Sequence, residues 1–432
     1  MIKYILQIWN AKDLRKKILF TFFILVLFRL MTHITIPGVN LEALKVVFEQ
    51  NKLLGIFSAM TGGSANNFSI ILMGLSPYIN ASIIMQLLTV ISTKLETINK
   101  EGEQGRRTIN RYTRWLTFPL AFLQSYGMIS LVNASAPVPI IENLSDPFVV
   151  LPIMITISAG TIILMWLGEL ISERGIGNGI SLLIFAGIMA GIPSMLASIF
   201  ALAQQETNKL IPFVATILIT ILFTIIVILI TEGQRRIPIT YAGRHRNSKG
   251  EESSLPIRVN QAGMIPIIFA VSVVTFPSVL GQFFVNAKSA WVQYLGNFFI
   301  NNFQSQSPLY LIMYFLLIIA FTYFYVSVTF NPNNVAENIQ KRGGFIPGLR
   351  PGKETAEYLG KVSNHLNLWG GLFIGIIAVS PILIQGIFSQ VGTGSIPVII
   401  SGAGLIIVVG VVLDLVRQVN TQMLSHHYDK FY

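Results

Sequence analysis

Long apolar runs, separated by shorter polar stretches, occupy most of this chain. Ten of them approach the roughly 20 residues that a helix needs to cross a bilayer. Their approximate bounds are 18–36, 69–91, 115–133, 149–168, 180–200, 211–230, 262–284, 308–329, 366–387 and 396–415. The pattern predicts an all-α polytopic membrane protein with ten transmembrane helices, numbered here as spans 1 to 10.

One stretch departs from simple crossing helices. Residues 53–60 are apolar but reach only about a third of a crossing length, and Thr61-Gly62-Gly63-Ser64 then permits a sharp reversal. The following run, 70–90, is long enough to cross. A half-helix that does not cross must lie against protein or in a water-filled cavity. We therefore expect a re-entrant half-helix followed by span 2.

Span 2 carries polar residues on one side. Leu75, Ile79, Ser82 and Gln86 fall on one helical stripe, and Asn80 lies on the adjacent stripe. A face that passes from Leu and Ile to Ser and Gln is typical of a pathway with an apolar waist and a wetter vestibule. Polar residues that join the helix to its neighbours give the same pattern. This stretch alone leaves both interpretations open.

Composition and charge agree with a membrane protein. Of the 432 residues, 53% are hydrophobic and 11% are charged, whereas roughly a quarter of a soluble domain is charged. Of the 30 Lys and Arg residues, 25 lie on the side of the termini and 4 on the opposite side. By the positive-inside rule, the termini and four loops are cytoplasmic. These loops are 92–114, 169–179, 231–261 and 330–365.

The same asymmetry accounts for most of the net charge of +11 without a nucleic acid. Ten spans also divide into halves of five, 1–206 and 207–432. An odd number of spans per half places the second half upside down relative to the first. Inverted repeats of this kind hold their working site near the midplane, between the halves.

Two cytoplasmic loops have features of docking sites. Loop 231–261 carries Arg235 and Arg236 beside a short β-like Ile-Pro-Ile-Thr-Tyr segment. Loop 330–365 presents Arg350 on a tip that prolines and glycines make rigid. The alternative is that these are solvated charges that only set topology. Because topology does not require a rigid tip, docking is favoured for Arg350.

The sequence contains no recognisable catalytic motif. His-Glu-x-x-His, Gly-x-Ser-x-Gly and P-loop patterns are all absent, and without cysteine there is no thiolate site. The glycines of 175–179 fit a tight turn that opens span 5. Arg29, in span 1, is the clear charge within a span, and no Asp, Glu or His is predicted near the midplane. We therefore expect a passive conduit, and neither an enzyme nor a metal or cofactor site.

Several long motifs carry a resemblance to a known family. The chain closely resembles the SecY family, the channel subunits of the bacterial protein-translocation complex, over essentially its whole length. The motifs are MGLSPYINASIIMQLL (73–88), KEGEQGRRTINRYTR (100–114), MWLGELISERGIGNGISLLIFAGI (165–188), GQRRIPITYAGR (233–244), VNQAGMIPIIFA (259–270), FNPNNVAENIQKRGGFIPGLRPG (330–352) and LIIVVGVVLD (405–414).

The resemblance implies a central hourglass pore with three working parts. The pore ring that closes its waist would be Leu75, Ile79, Ile180, Ile184, Ile268 and Ile407. The half-helix at about 53–64 would be a plug on the outer side, with Leu54, Ile56, Phe57, Met60, Gly62 and Gly63. A lateral gate would open between spans 2–3 and 7–8, with a polar group of Asn80, Gln86, Gln124 and Asn260.

The resemblance also implies partners and a location. Arg235, Arg236, Tyr241, Arg244 and Arg350 would dock the ribosome and the SecA motor ATPase. SecE and SecG would be membrane subunits, and preproteins and signal sequences would be the cargo. The expected function is a protein-conducting channel in the lipid bilayer of the bacterial inner membrane, without a cofactor. A secondary transporter of small solutes is the alternative.

Overall fold

A computed structural model describes residues 11–44, 64–65, 67–134, 139–141, 146–205, 210–241, 254–285, 289–303, 307–390 and 401–428. The first part of the chain forms α1 (Lys12–Met31), α2 (Ser76–Ile91), α3 (Thr93–Lys100), α4 (Glu103–Ala134), α5 (Pro147–Arg174) and α6 (Gly179–Gln205). The second part begins with α7 (Leu210–Glu232), β1 (Gln234–Pro238), β2 (Thr240–Tyr241) and β3 (Ser254–Arg258). It continues with α8 (Ile265–Val285), α9 (Ala290–Asn302), α10 (Pro308–Thr329), α11 (Pro332–Lys341), β4 (Gly344–Phe345), α12 (Lys353–Gln390) and α13 (Gly402–Tyr428).

Each predicted span overlaps one of these helices. Within the described residues, six helices are long and apolar enough to cross a membrane. They are Pro147–Arg174, Gly179–Ala197, Phe213–Glu232, Pro308–Lys341, Lys353–Gly386 and Gly402–Met423. Ser76–Ile91 and Thr93–Lys100, bent by 101°, make a seventh if they count as one span. Ten crossing helices in two inverted halves stay a prediction.

Span 2 begins later than its apolar pattern predicts. Residues 69–75 are turns with one bridge residue, and α2 begins at Ser76 with Pro77 in its first turn. Proline suits a first turn, because its missing N–H has no intrahelical partner there. The Ile79 N–H still donates to the Leu75 carbonyl oxygen at 3.0 Å. The predicted stripe from Leu75 to Gln86 therefore keeps its register.

Span 1 ends earlier than predicted. α1 stops at Met31, and Thr35 beyond it forms a β-bridge with Ser69. Arg29 therefore lies in the last turn of α1 with an exposed side chain, and its place inside the membrane stays a prediction. The helix dipole favours a cation at a C-terminal turn.

Two segments predicted as loops are largely helical. α3 and the start of α4 occupy most of 92–114, and α11 and the start of α12 occupy much of 330–365. Lys100 pairs with Glu96 at 2.6 Å and Arg107 pairs with Glu103 at 2.7 Å, each across one helical turn. Such i,i+4 pairs stabilise helices. The polar composition was compatible with both states.

Among the described residues, helices before residue 206 contact helices after it. α6 contacts α7 and α13, and α8 contacts α2 and α4. Four short strands interrupt the all-α pattern. β1 pairs with β3 and β2 pairs with β4, both antiparallel.

Candidate pore, lateral gate and docking surface

One apolar cluster draws its side chains from both parts of the chain. Four of the predicted pore-ring residues are buried in it, and the other two pack against it as partly buried side chains. The buried four are Leu75, Ile184, Ile268 and Ile407, and the other two are Ile79 and Ile180. The structure therefore brings together all six residues that the resemblance implied.

Four helices position these side chains. Leu75 precedes α2 directly and Ile79 follows one turn later, while Ile180 and Ile184 are one turn apart at the start of α6. Residues four apart share a helix face, so each pair presents two successive side chains to the cluster. α8 and α13 contribute Ile268 and Ile407, which is completely buried.

A close approach between α5 and α6 fixes where α6 begins. A Cβ on Gly179 would overlap the carbonyl oxygen of Gly168 and lie 2.7 Å from Ile171 Cβ. Because only glycine leaves this space empty, the two backbones touch. The contact holds the start of α6, and with it Ile180 and Ile184, against α5.

The turn before α6 is capped by side chains. Asn178 Oδ1 accepts hydrogen bonds from the Ile180 and Ser181 N–H groups at 3.1 and 3.3 Å. Ser172 Oγ on α5 accepts from the Gly179 N–H at 2.9 Å. Gly177 has φ of +88°, which a side chain would disfavour. The predicted tight turn is confirmed, and its glycines serve backbone geometry.

The predicted plug residues Leu54, Ile56, Phe57, Met60, Gly62 and Gly63 lie outside the described residues. The chain that follows them is tied to the end of α1. The Ile36 N–H donates to the Phe68 carbonyl oxygen at 3.1 Å, and the Ile70 N–H donates to the Ile34 carbonyl oxygen at 3.0 Å. The described residues 64–65 and 67–70 therefore form a fixed anchor between the predicted plug and span 2.

Phe68, within this anchor, has an unfavourable backbone conformation. Its φ is 44°, and among the described residues it is the one non-glycine residue with positive φ. Its side chain is completely buried in an apolar cluster that includes Leu72 and Ile129. A bulky residue adopts this conformation only when its surroundings hold it there. The packed ring of Phe68 therefore fixes the anchor.

The helices of the predicted lateral gate pack against one another in this structure. α8 contacts both α2 and α4, the helices of spans 2 and 3. Gln124 on α4 and Asn260, before α8, are buried, and Asn80 and Gln86 on α2 are half-buried. The four polar residues thus lie on α2, on α4 and just before α8, next to three of the four predicted gate spans.

These side chains do not form a hydrogen-bonded group. Gln86 Nε2 donates to Ser82 Oγ on its own helix at 3.4 Å, and Asn260 Oδ1 accepts from the Gly263 N–H at 2.8 Å. The buried Gln124 Oε1 has no hydrogen-bond partner within the described residues. A buried acceptor without a partner is destabilising, so the Oε1 atom of Gln124 adds no hydrogen bond between the described helices here.

A second polar contact, which was not predicted from the sequence, joins the segment just before α8 to α12. Ser363 Oγ donates to Gln261 Oε1 at 3.1 Å. One face of α12 carries Ser363, Asn367 and Gly370, and a Cβ on Gly370 would lie 2.5 Å from the Val259 carbonyl oxygen. This small and polar stripe at i, i+4 and i+7 was the available signal for a close helix contact.

The two predicted docking loops form one packed unit, named here the docking surface. Their side chains share an apolar core that includes Ile237, Ile257, Ile339, Ile346 and Leu359. Pairing of β2 with β4 joins the loops through their backbones. Packing between these two loops was not predicted from the sequence, because the residues in contact are about a hundred positions apart in the chain.

The individual docking residues differ in what they contact. Arg235 and Arg236 are exposed on β1. Tyr241 is half-buried, and a Cβ on Gly344 would lie 2.8 Å from Tyr241 Cε1, so its ring joins the two loops. Arg244 lies outside the described residues.

Hydrogen bonds fix the backbone of Arg350, and its side chain is exposed. Its N–H donates to Glu354 Oε2 at 3.2 Å, and its carbonyl oxygen accepts from Thr355 Oγ1 at 2.9 Å. Gly348 and Gly352, with φ of +84° and +101°, supply the turns on either side. This arrangement fits the rigid tip that the sequence predicted.

Charged side chains elsewhere pair between helices. Arg114 on α4 bonds Glu169 on α5 at 2.7 Å, and Arg417 on α13 bonds Glu232 on α7 at 2.6 Å. In the described part of the chain, no group of three or more metal-ligating side chains could hold an ion.

Comparison with known proteins extends this picture. Residues 69–416 match the family model described as SecY. The chain is 39% identical over 451 residues to "Protein translocase subunit SecY" of Streptomyces scabiei, with 100% of both chains covered. It is also similar to a structure described as "The plug domain of the SecY protein stablizes the closed state of the translocation channel and maintains a membrane seal" (TM-score 0.69, 21% identity), covering 95% of this chain and 93% of that one. Sec61 in the canine ribosome-channel complex from the endoplasmic reticulum matches over the same shares of both chains, with TM-score 0.65 and 21% identity.

Proposed function

The chain belongs to the SecY family, and we propose that it is a protein-conducting channel for unfolded secretory polypeptides that also releases membrane helices sideways into lipid. Its full-length relative is named as a protein translocase subunit. The similar solved structures are described as a translocation channel and a ribosome-channel complex. These findings favour polypeptide translocation over the transport of small solutes.

The observation that carries the mechanism is the apolar cluster with the six pore-ring side chains. They come from four helices on both sides of residue 206. A ring of Ile and Leu without polar partners excludes water and ions by dewetting. It also offers no specific binding site, so an extended chain of any sequence can slide through it. The ring is thus both the seal and the sliding contact.

The plug and the lateral gate complete the channel. Residues 53–64 would cover the outer side of the ring, and the anchor would hold one end of this plug in place. That a related protein is described by its plug domain supports the assignment. Separation of α8 from α2 and α4 would open the gate to lipid, and an apolar signal helix would take the place of the lost contacts.

The docking surface is proposed as the cytoplasmic binding site for the ribosome and the SecA motor. Exposed Arg235, Arg236 and Arg350 suit RNA phosphates or an acidic protein surface. SecE and SecG would complete the membrane complex. The chain would lie in the bacterial inner membrane with both termini cytoplasmic. Partners would hydrolyse ATP or GTP, so no catalytic step is assigned to this chain.

Reconstitution tests this function against the transporter alternative. Proteoliposomes with the chain, its membrane subunits and the motor ATPase are expected to import a protease-protected precursor in the presence of ATP. The same vesicles, given an ion gradient and a mixture of labelled small solutes, are expected to accumulate none of them. Gradient-coupled uptake of a solute, without precursor import, would overturn the proposal.

A further inference from the structure

α9 is a short helix between the gate helix α8 and α10, and it has three distinct faces. Its packed face carries the buried Gly296 together with Val292 and Phe299, which are half-buried. A Cβ on Gly281 of α8 would lie 2.8 Å from the Gly296 carbonyl oxygen and 3.0 Å from Phe299 Cβ. The two helices therefore touch through a pair of glycines, and α9 is attached to the end of α8.

The second face is aromatic, and none of the described residues covers it. Trp291, Tyr294 and Phe298 are 70%, 68% and 42% exposed. Their spacing of i, i+3 and i+7 puts them on one stripe of the helix. Three exposed aromatic rings on one stripe of a 13-residue helix are far more apolar surface than isolated exposed residues provide.

The third face is polar and uncharged. Gln293, Asn297 and Asn301 are exposed and fall at i, i+4 and i+8. At 100° per residue, the packed face lies roughly 130° from each of the other two faces, and the aromatic and polar faces lie roughly 90° apart. α9 contains no Lys, Arg, Asp or Glu. The packed face thus contacts protein, the aromatic face suits an apolar medium, and the polar face suits water.

We propose that α9 is an interfacial anchor whose aromatic face inserts into the lipid–water boundary of the membrane. Trp and Tyr prefer this boundary, because their rings are apolar and their N–H and O–H groups bond headgroups and water. With 13 residues, α9 is about 20 Å long and too short to cross. Contacts with both α8 and α10 hold it beside the ends of these two helices. Because α9 is attached to α8, it fixes one end of the gate helix at the membrane surface while the rest of α8 moves.

Cysteine labelling tests this inference, because the chain has no cysteine of its own. Gln293→Cys and Asn297→Cys probe the polar face, and Tyr294→Cys and Phe298→Cys probe the aromatic face. Each full-length variant is reconstituted in liposomes, and a charged maleimide is added to both sides of the membrane. The thiols on the polar face are expected to react faster than those on the aromatic face, because burial in lipid raises the pKa of a thiol. Each unit of that increase lowers the reactive thiolate fraction, and so the rate, by roughly tenfold. Equal rates at all four positions would overturn the proposal.

Fluorescence distinguishes lipid from a protein that covers the same face. With Trp9, Trp115, Trp166 and Trp369 replaced by Phe, Trp291 is the sole emitter. Phospholipids brominated near the headgroup are expected to quench Trp291, and aqueous iodide is expected to quench it weakly. In the matched control, which combines Gln293→Trp with Trp291→Phe, iodide is expected to quench strongly. Failure of brominated lipid to quench Trp291, whatever iodide does, would contradict insertion. Neither readout depends on translocation activity.

Discussion

Gln124→Met tests what the polar residue at the lateral gate does. Gln124 is 8% exposed on α4, and its Oε1 is buried without a partner in the described residues. Methionine has nearly the same size and no amide. The substitution removes an unpaired acceptor from the closed gate, while in the open gate the native amide is free to bond water or cargo. We therefore expect Gln124→Met to stabilise the closed state.

The magnitude follows from the cost of an unpaired buried acceptor, about 1–3 kcal/mol. That free energy corresponds to a shift of roughly 5- to 150-fold in the ratio of closed to open channels. The import rate of precursors with weakly apolar signal sequences should fall the most, since these signals contribute the least free energy to opening the gate. Strongly apolar signals should be less affected, because their own burial in lipid drives the gate open.

The assay is the initial rate of precursor import into proteoliposomes, measured for signal sequences of graded hydrophobicity. Leu123→Met is the matched control, because Leu123 is the adjacent residue and is 55% exposed. We expect slower import of weak signals for Gln124→Met and no change for Leu123→Met. Faster import, or acceptance of a defective signal, would refute the reasoning, since it would mean that the Gln124 amide holds the gate closed.

Three further substitutions test the ring, the helix contact behind it and the docking surface. Ile268→Asn should hydrate the ring and raise the resting ion conductance of planar bilayers, and an unchanged conductance would remove Ile268 from the seal. Gly179→Ala should lower the free energy of unfolding by more than the roughly 1–3 kcal/mol typical of overpacking, because the new Cβ would overlap the backbone of α5. Gly191→Ala is the control on the same helix and should be close to neutral, because nothing lies within 4 Å of its new Cβ. Equal losses for the two variants would contradict the contact between α5 and α6. Arg350→Glu should weaken binding of the motor or the ribosome in a cosedimentation assay. Arg342→Glu, at a residue that is also exposed on the docking surface, should weaken binding less. Equal effects of the two variants would mean that the net charge of the surface, and not the rigid tip, determines binding.

The sequence was most informative where one helix carries the whole signal. The stripe from Leu75 to Gln86 needed only helical periodicity, whereas Ile180 and Ile184 were assigned through the family resemblance. Ile268 and Ile407 could be assigned only through the family resemblance. Each is one apolar residue in an apolar run, so periodicity gave no reason to prefer it.

Other features depend on tertiary contacts that a linear pattern does not contain. The pairing of β1 with β3 required Ser254–Arg258, which has no strong strand signal of its own. Tyr241 resembled a docking residue, but its ring also joins two loops through Gly344. The bond between Gln261 and Ser363 crosses 102 residues of sequence. In each case the deciding neighbour lies far away in the chain.

Site-specific crosslinking from Ile79 tests the central claim most directly. A photoreactive residue replaces Ile79 in the reconstituted complex, and a secretory precursor is stalled midway through import. Leu222, 55% exposed on α7, carries the same group as the lipid-facing control. We expect a crosslink from position 79 to the translocating segment and none from position 222. No crosslink from position 79, with stalling confirmed independently, would mean that the polypeptide does not pass through this ring.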